Sequence, residues 1–243
     1  MITPYSKQNN PLNKSSFQVA CIVLLFLHLF LFPFTLQGHP KNIQQELHDT
    51  IRVGCEVSYP PYCFIDEEGN PNGFSIELFR AVAREMGIHL HFKTGLWNNL
   101  KYDLAKNKID ALPLVGRTPE REKLFDFTVP YLQMHGAIVV RANQDSIHSL
   151  KDLIGKDVAV MKGDNAEEFL RRSNLNTNII QRSTFKSALS ELSDGQHDAV
   201  LIQRFLALKL IRDNGFSNLK LVGDPTDTFK QSFCFAVTEN NEE

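Results

Sequence analysis

Glu56, Tyr59, Trp97, Arg117, Arg121 and Gln203, with the turn Gly163-Asp164-Asn165, are the residues whose types and places could do chemistry. Each follows a strand-like apolar run. Glu56 and Tyr59 come after 51–55, and Trp97 comes after 89–92. The segment from Gly116 to Arg121 comes after 109–114, Gly163 to Asn165 after 158–161, and Gln203 ends 198–202. Open α/β sheets bind ligands beyond the carboxyl ends of their strands, so these segments are expected to converge on one cleft. The chemistry expected there is recognition, and the chain is read as a non-enzyme. No GxSxG, HExxH, Walker A or GxGxxG pattern occurs. The eight histidines are scattered, and His89 and His91 alternate on one strand face as polar surface positions. Cys55, Cys63 and Cys234 match no metal-ligand spacing. Burial as small apolar side chains accounts for them, with a Cys55–Cys63 bridge as the alternative. No metal or cofactor is expected.

Such a cleft needs a scaffold of alternating strands and helices. Apolar runs at 51–55, 89–92 and 109–114 alternate with helical patterns at 74–86 and 100–107, and Gly87 ends the first helix. Tyr59-Pro60-Pro61 interrupts the first run, and 66–73 is turn-forming. A second set has strand runs at 136–140, 158–161, 178–180, 198–202, 219–222 and 232–237. Its helices start at Ser149, at Asp164 or Asn165, at Thr184, and after 202, the last running to Asp213. These βαβ-type halves predict an α/β fold of two lobes, each a mostly parallel sheet flanked by helices. Lobe 1 is expected over 51–140 and 223–243, and lobe 2 over 141–222. Crossings near 139–143 and 221–225 would serve as hinges. Residues 238–243 read as the start of a helix, so the closing helix of lobe 1 is expected to be missing and the chain to be a piece of a longer one.

Composition narrows the function. The 243 residues are 42% hydrophobic and 22% charged, as in a folded globular protein. A net charge of -2 gives no basic field for nucleic acid. Residues 1–18 carry Lys7 and Lys14 and no acid, and 19–36 are apolar except for His28 and, after the run, Thr35. A positive leader before an apolar stretch reads as a signal peptide or transmembrane anchor. Residues 35–38 match a small-x-small cleavage site poorly, and 19–36 just reach across hydrocarbon. A retained anchor with its N-terminus in the cytoplasm is therefore the expectation. Residues 37–50 are then a linker, and the chain from residue 51 onward is periplasmic.

The segments Ile51-Arg52-Val53-Gly54, Tyr59-Pro60-Pro61-Tyr62, Gly73-Phe74-Ser75-Ile76-Glu77-Leu78 and Lys108-Ile109-Asp110-Ala111 come in that order. They are followed by Thr118-Pro119-Glu120-Arg121, Phe125-Asp126-Phe127-Thr128-Val129-Pro130-Tyr131 and the stretch 150–160. Together they resemble the bacterial extracellular solute-binding proteins of family 3, over about residues 50–238. The resemblance implies a type II periplasmic-binding-protein fold that serves either ABC importers of polar amino acids or the sensor domains of membrane signalling proteins. It implies a permease or an output domain as partner. Cyclohexadienyl dehydratases share the fold, and for such an enzyme Glu56 is the candidate general acid.

The family's site carries over residue by residue. The resemblance makes Arg121 the clamp on a ligand carboxylate, for which a planar guanidinium suits; a surface salt bridge is the alternative. Tyr59 and Trp97 would sandwich the ligand, with core packing as the alternative for Tyr59 and a loop position expected for Trp97. Glu56 would take a ligand cation or else lie exposed. Gly163, Asp164 and Asn165 would offer backbone N–H groups to a carboxylate or else simply cap a helix. Two departures stand out. Gln203 occupies the place of an aspartate that binds an α-ammonium, and a neutral amide supplies no charge-assisted bond. The segment from Asp110 to Arg121 is one residue short, so Arg117 is expected to share or replace the clamp. A carboxylate-bearing or amino-acid-like ligand is the expectation, closing the lobes when it touches both.

Overall fold

The computed structural model describes residues 50–223 and 229–239. The chain divides into units 1–43 and 44–243, and all described residues belong to the second. The expected leader, anchor and linker at 1–49 lie outside them, as do 240–243. Among the described residues no helix is long and apolar enough to cross a membrane.

The first lobe is built on β1 (Thr50–Glu56), β5 (His89–Gly95) and β6 (Ala111–Gly116), with β1 parallel to both neighbours. The second is built on β9 (Asp157–Met161), β10 (Asn178–Arg182) and β11 (Ala199–Gln203), again parallel. Every residue of β6 and β11 is buried. Continuous apolar strands are what a parallel sheet covered on both faces requires. The covering helices are α1 (Phe74–Glu85) and α2 (Trp97–Ala105) in lobe 1, and α3 (Asn165–Ser173), α4 (Phe185–Ser193) and α5 (Arg204–Asp213) in lobe 2. Asp164 caps α3 by accepting from the Ala166 N–H at 2.9 Å, and Thr184 caps α4 by accepting from the Ser187 N–H at 3.1 Å. Each such cap contributes about 1 kcal/mol.

Three short strands were not read from the sequence: β2 (Ser58–Tyr59), β3 (Cys63–Ile65) and β4 (Pro71–Asn72) form a small antiparallel sheet. The Pro60-Pro61 peptide between β2 and β3 is cis. A further strand, β7 (Phe125–Phe127), pairs with β13 (Lys230–Thr238).

Among the described residues, one strand joins the lobes. The residues of β8 (Leu132–Arg141) from Leu132 to His135 pair with β13 in lobe 1. From Gly136 onward β8 pairs with β11 and with β12 (Leu219–Val222) in lobe 2. The change of partner falls between His135 and Gly136, ahead of the 139–143 expected, because Val139 and Val140 are fully buried in the second sheet. A Cβ on Gly136 would meet the Phe229 ring at 2.5 Å, so the aromatic seats on bare backbone at this crossing. Residues 224–228, and with them part of the second crossing expected near 221–225, lie outside the described residues. The result is one ten-stranded sheet whose path runs β10-β9-β11-β8-β13-β6-β1-β5, with β12 beside β8 and β7 beside β13, bent into two lobes.

Candidate functional site

The strand ends of the two lobes meet across a cleft. Glu56 ends β1, Tyr59 ends β2, Trp97 opens α2, and Arg121 follows β6. All four line one cavity together with Asp164 from lobe 2. Trp97 is the first residue of a helix, so its expected loop position is corrected. The residue is 5% exposed, and its indole N–H donates to the Gly163 carbonyl at 2.7 Å.

Arg121 is the most enclosed charge of the site, at 2% exposure. Its Nη1 donates to the Gly116 carbonyl at 3.0 Å and its Nη2 to the Gly163 carbonyl at 3.1 Å. Its Nε lies 3.1 Å from the Glu168 carboxylate, and its guanidinium sits 4.9 Å from the Trp97 ring centre. The salt bridge weighed as an alternative to a ligand clamp is present, but it is buried and spans the lobes. Thr118 Oγ1 donates to the same carboxylate at 2.9 Å, and Lys101 Nζ to it at 3.2 Å and to the Gly163 carbonyl at 2.8 Å. At the rim Arg172 pairs with Glu120 at 2.8 Å.

The lobes are thus closed, and the cavity between them measures ≈ 20 Å³. One water needs roughly 10–15 Å³ on this measure, and small-ligand pockets run to about 300–1,000 Å³. Any ligand larger than a water or two enters only when the lobes separate.

The polar groups left over point to a ligand. Among the described residues, the buried side-chain atoms with no hydrogen-bond partner are Glu56 Oε1, Tyr59 OH, Asn165 Nδ2, Gln203 Oε1 and His197 Nδ1. All but His197 belong to the expected site. A buried unpaired polar group costs about 1–3 kcal/mol, so the two that line the cavity, on Glu56 and Tyr59, mark a site built for a partner. Asn165 and Gln203 do not line the cavity, and Gln203 Nε2 donates to Asn165 Oδ1 at 3.2 Å. Asn165 Nδ2 is 2.7 Å from where a Cβ on Gly116 would sit, and Gly116 lines the cavity.

Two expected contributors stand elsewhere. Arg117 is half exposed, pairs with Glu122 at 2.6 Å and lies over the Phe127 ring, outside the cavity lining. Gly163 contributes its carbonyl to lobe 1, not its N–H, which donates to Glu167 Oε2 at 2.8 Å. Glu168, Lys101 and Thr118 were not read from the sequence as site residues. The only signal for Glu168 was its place in the first turn of α3, beside the glycine turn.

Burial sets the site's charge. It pushes the Glu56 carboxyl well above the usual range, with the nearby Asp164 charge adding to the effect. Burial likewise raises Tyr59 far beyond an ordinary phenol. Asp164 is raised to about 6 by burial, with the Arg121 charge pulling the other way. Lys101 is lowered by burial and by its neighbour Arg121. Among the described residues no cluster of His, Cys, Asp or Glu could hold a metal ion.

A cleft between two α/β lobes, lined from both sides and bridged when shut, defines a two-lobed solute-binding protein. The chain belongs to the bacterial extracellular solute-binding proteins, family 3, whose family model matches residues 51–184. It is 30% identical over 196 residues to the L-cystine-binding protein TcyJ of Escherichia coli, covering 80% of this chain and 73% of the relative. Among solved structures it is similar to a histidine kinase sensor domain with similarity to periplasmic binding proteins. That match has TM-score 0.75 and 30% identity, over 79% of this chain and 83% of the other. An ancestral arginine-binding protein bound to glutamine matches with TM-score 0.72 and 34% identity, over 79% and 85% of the two chains. These relatives are binding proteins and sensors by name.

Proposed function

We propose that this chain is a periplasmic binding domain that closes around a small amino-acid-like ligand bearing a carboxylate, without turning it over. In this reading it forms the sensory part of a membrane signalling protein, tethered through residues 19–36, and its closure is read by an output domain. The observation that carries this reading is the pair of unpartnered polar atoms on Glu56 and Tyr59 in the cavity that the buried guanidinium of Arg121 also lines, with unpartnered Asn165 against Gly116 of the same lining. Relatives named for cystine and arginine support the ligand class, and the kinase sensor domain supports the output. The second reading is transport. It draws on a Haemophilus influenzae relative, 27% identical over 85% of this chain and 81% of its own length, described as a probable amino-acid ABC transporter-binding protein.

The ligand contacts both lobes only when they are shut, so binding shifts the population toward the closed form. The test is thermal unfolding with a panel that includes cystine, arginine and glutamine, in the parent and in Arg121→Ala. A stabilising member at 100 times its Kd adds about 2.7 kcal/mol. The variant is expected to lose that shift. Its unliganded stability also falls, because Arg121 bridges the lobes, so the ligand-dependent difference is the readout. An undiminished shift in the variant removes Arg121 from the site, and a panel with no stabilising member sinks the reading.

A further inference from the structure

Cys55 lies on β1 and Cys63 opens β3, and both are buried. Their Sγ atoms are 3.4 Å apart. Both sulfurs also lie against one carbonyl, that of Glu56, at 3.5 Å from Cys55 and 3.8 Å from Cys63. A disulfide holds its sulfurs at ≈ 2.0 Å, so a shift of roughly 1.4 Å separates this pair from a covalent bond. The family to which the chain belongs is extracellular, and such compartments are oxidising.

We propose that Cys55 and Cys63 are a disulfide site that staples β1 to β3 along the wall of the ligand cavity. Cys63 lines that cavity and pairs across the small sheet with Tyr59, while Cys55 precedes Glu56 in the chain. The bond therefore ties together the segment that presents the unpartnered Glu56 carboxyl and Tyr59 hydroxyl.

The oxidant is a disulfide, either of a small molecule such as oxidised glutathione or of an oxidoreductase. The Cys55 thiolate attacks one sulfur of the oxidant, a mixed disulfide forms, and the other half leaves as a thiolate. Cys63 then gives its proton to that thiolate, and its sulfur attacks Cys55 Sγ and expels the remaining half, which takes a proton from water. Two protein thiols lose two electrons and two protons, and one disulfide becomes two thiols. With β1 and β3 docked, the hydrogen bond between the two thiols holds Cys55 below the ordinary thiol range and pushes Cys63 well above it. Both residues are nearly inaccessible once β3 is docked, so the exchange belongs to folding, and the finished bond is shielded from reductant.

The experiment refolds the full chain in a mixture of oxidised and reduced glutathione, blocks free thiols with iodoacetamide under denaturing conditions, and digests with trypsin. No Lys or Arg lies between Arg52 and Arg80, so peptide 53–80 contains both cysteines. The expected product carries no alkyl group and is lighter than the dithiol by two hydrogens, about 2 Da. Breaking a bridge that closes so short a loop is expected to lower Tm by about 5–10 °C, both on reduction and in the Cys55→Ser/Cys63→Ser double variant. Cys234→Ser is expected to keep the bond. A peptide alkylated at both positions after oxidative refolding overturns the proposal. The ligand panel plays no part in this readout, so the bond stands or falls independently of what the cleft binds.

Discussion

Arg121 and Glu168 face each other from opposite lobes, and Arg121 Nε lies 3.1 Å from the Glu168 carboxylate. The Glu168 carboxylate also accepts from Thr118 and Lys101, so one acid of lobe 2 gathers three donors of lobe 1. It holds the Arg121 fork by one edge, while the Nη atoms turn to the carbonyls of Gly116 and Gly163.

Glu168→Gln removes the charge and leaves Arg121 buried beside a neutral amide. Breaking a largely buried pair from one side costs about 2–4 kcal/mol. The variant without added ligand is expected to melt earlier and to show a larger radius of gyration by X-ray scattering, because the closed form loses its main ionic bridge. Identical Tm and radius would mean that Glu168 does not latch the lobes.

Gly163→Ala tests the same contact through the backbone. Gly163 has φ 72°, and a Cβ there would meet Asn98 Oδ1 at 2.8 Å and Lys101 Nζ at 3.1 Å, both in lobe 1. The left-handed backbone alone costs an alanine about 1 kcal/mol. The methyl clashes only when the lobes are shut, so affinity for a stabilising ligand is expected to fall about tenfold or more, or 1.4 kcal/mol. Calorimetric titration showing parental affinity would refute this.

The two buried acids give a pH dependence of known sign. Asp164 is raised to about 6 in the folded chain from 3.8. The native state therefore keeps its proton longer than the unfolded chain. This makes stability fall as pH rises from 3.8 to about 6, with the full penalty of about 3 kcal/mol present above that. Asp164→Asn retains a capping side chain and is expected to gain roughly 2–3 kcal/mol at neutral pH and nothing at the acid end. Glu56→Gln is expected to behave in the same direction, with its gain beginning as pH passes 4.5. Denaturant titrations across the range check both, and a variant whose curve runs parallel to the parent's contradicts the assignment for that residue.

Gln203→Leu separates recognition from folding. Gln203 is fully buried, with one bond to Asn165 and one unpartnered oxygen. Replacing it forfeits a bond but also removes the unsatisfied acceptor, so Tm without ligand is expected to move by less than about 1 kcal/mol equivalent. Ligand affinity is expected to drop about tenfold through loss of that acceptor. An unchanged affinity places Gln203 outside the recognition surface.

Much of the scaffold could be read in the chain because its cause is local. The buried run that became β6, the Asp164 cap before α3 and the Thr184 cap before α4 each sit in one short window. That Glu56, Tyr59, Trp97 and Arg121 line one cavity could be expected because they follow strands, and strand ends share one edge of a parallel sheet. What could not be read depends on the two lobes meeting. Arg121 and Glu168 are 47 positions apart, and nothing in either neighbourhood foretells the other. Arg117 misled for a related reason. It leaves β6 only four residues before Arg121, yet pairs outward with Glu122, and side-chain direction at a strand end depends on where the chain turns. The strands β2, β3 and β4 escaped because pieces of two or three residues carry no period.

The crossing at His135 and Gly136 has a mechanical consequence. On the lobe 1 side β8 is bonded to β13 residue by residue, from Leu132 with Phe233 to His135 with Lys230. A slip of one residue there would turn every side chain to the opposite face, so the lobes cannot shear past each other. Rotation about the laddered crossing is the freedom that remains. Occupancy of the cleft would thereby be expressed as a single angle between the lobes.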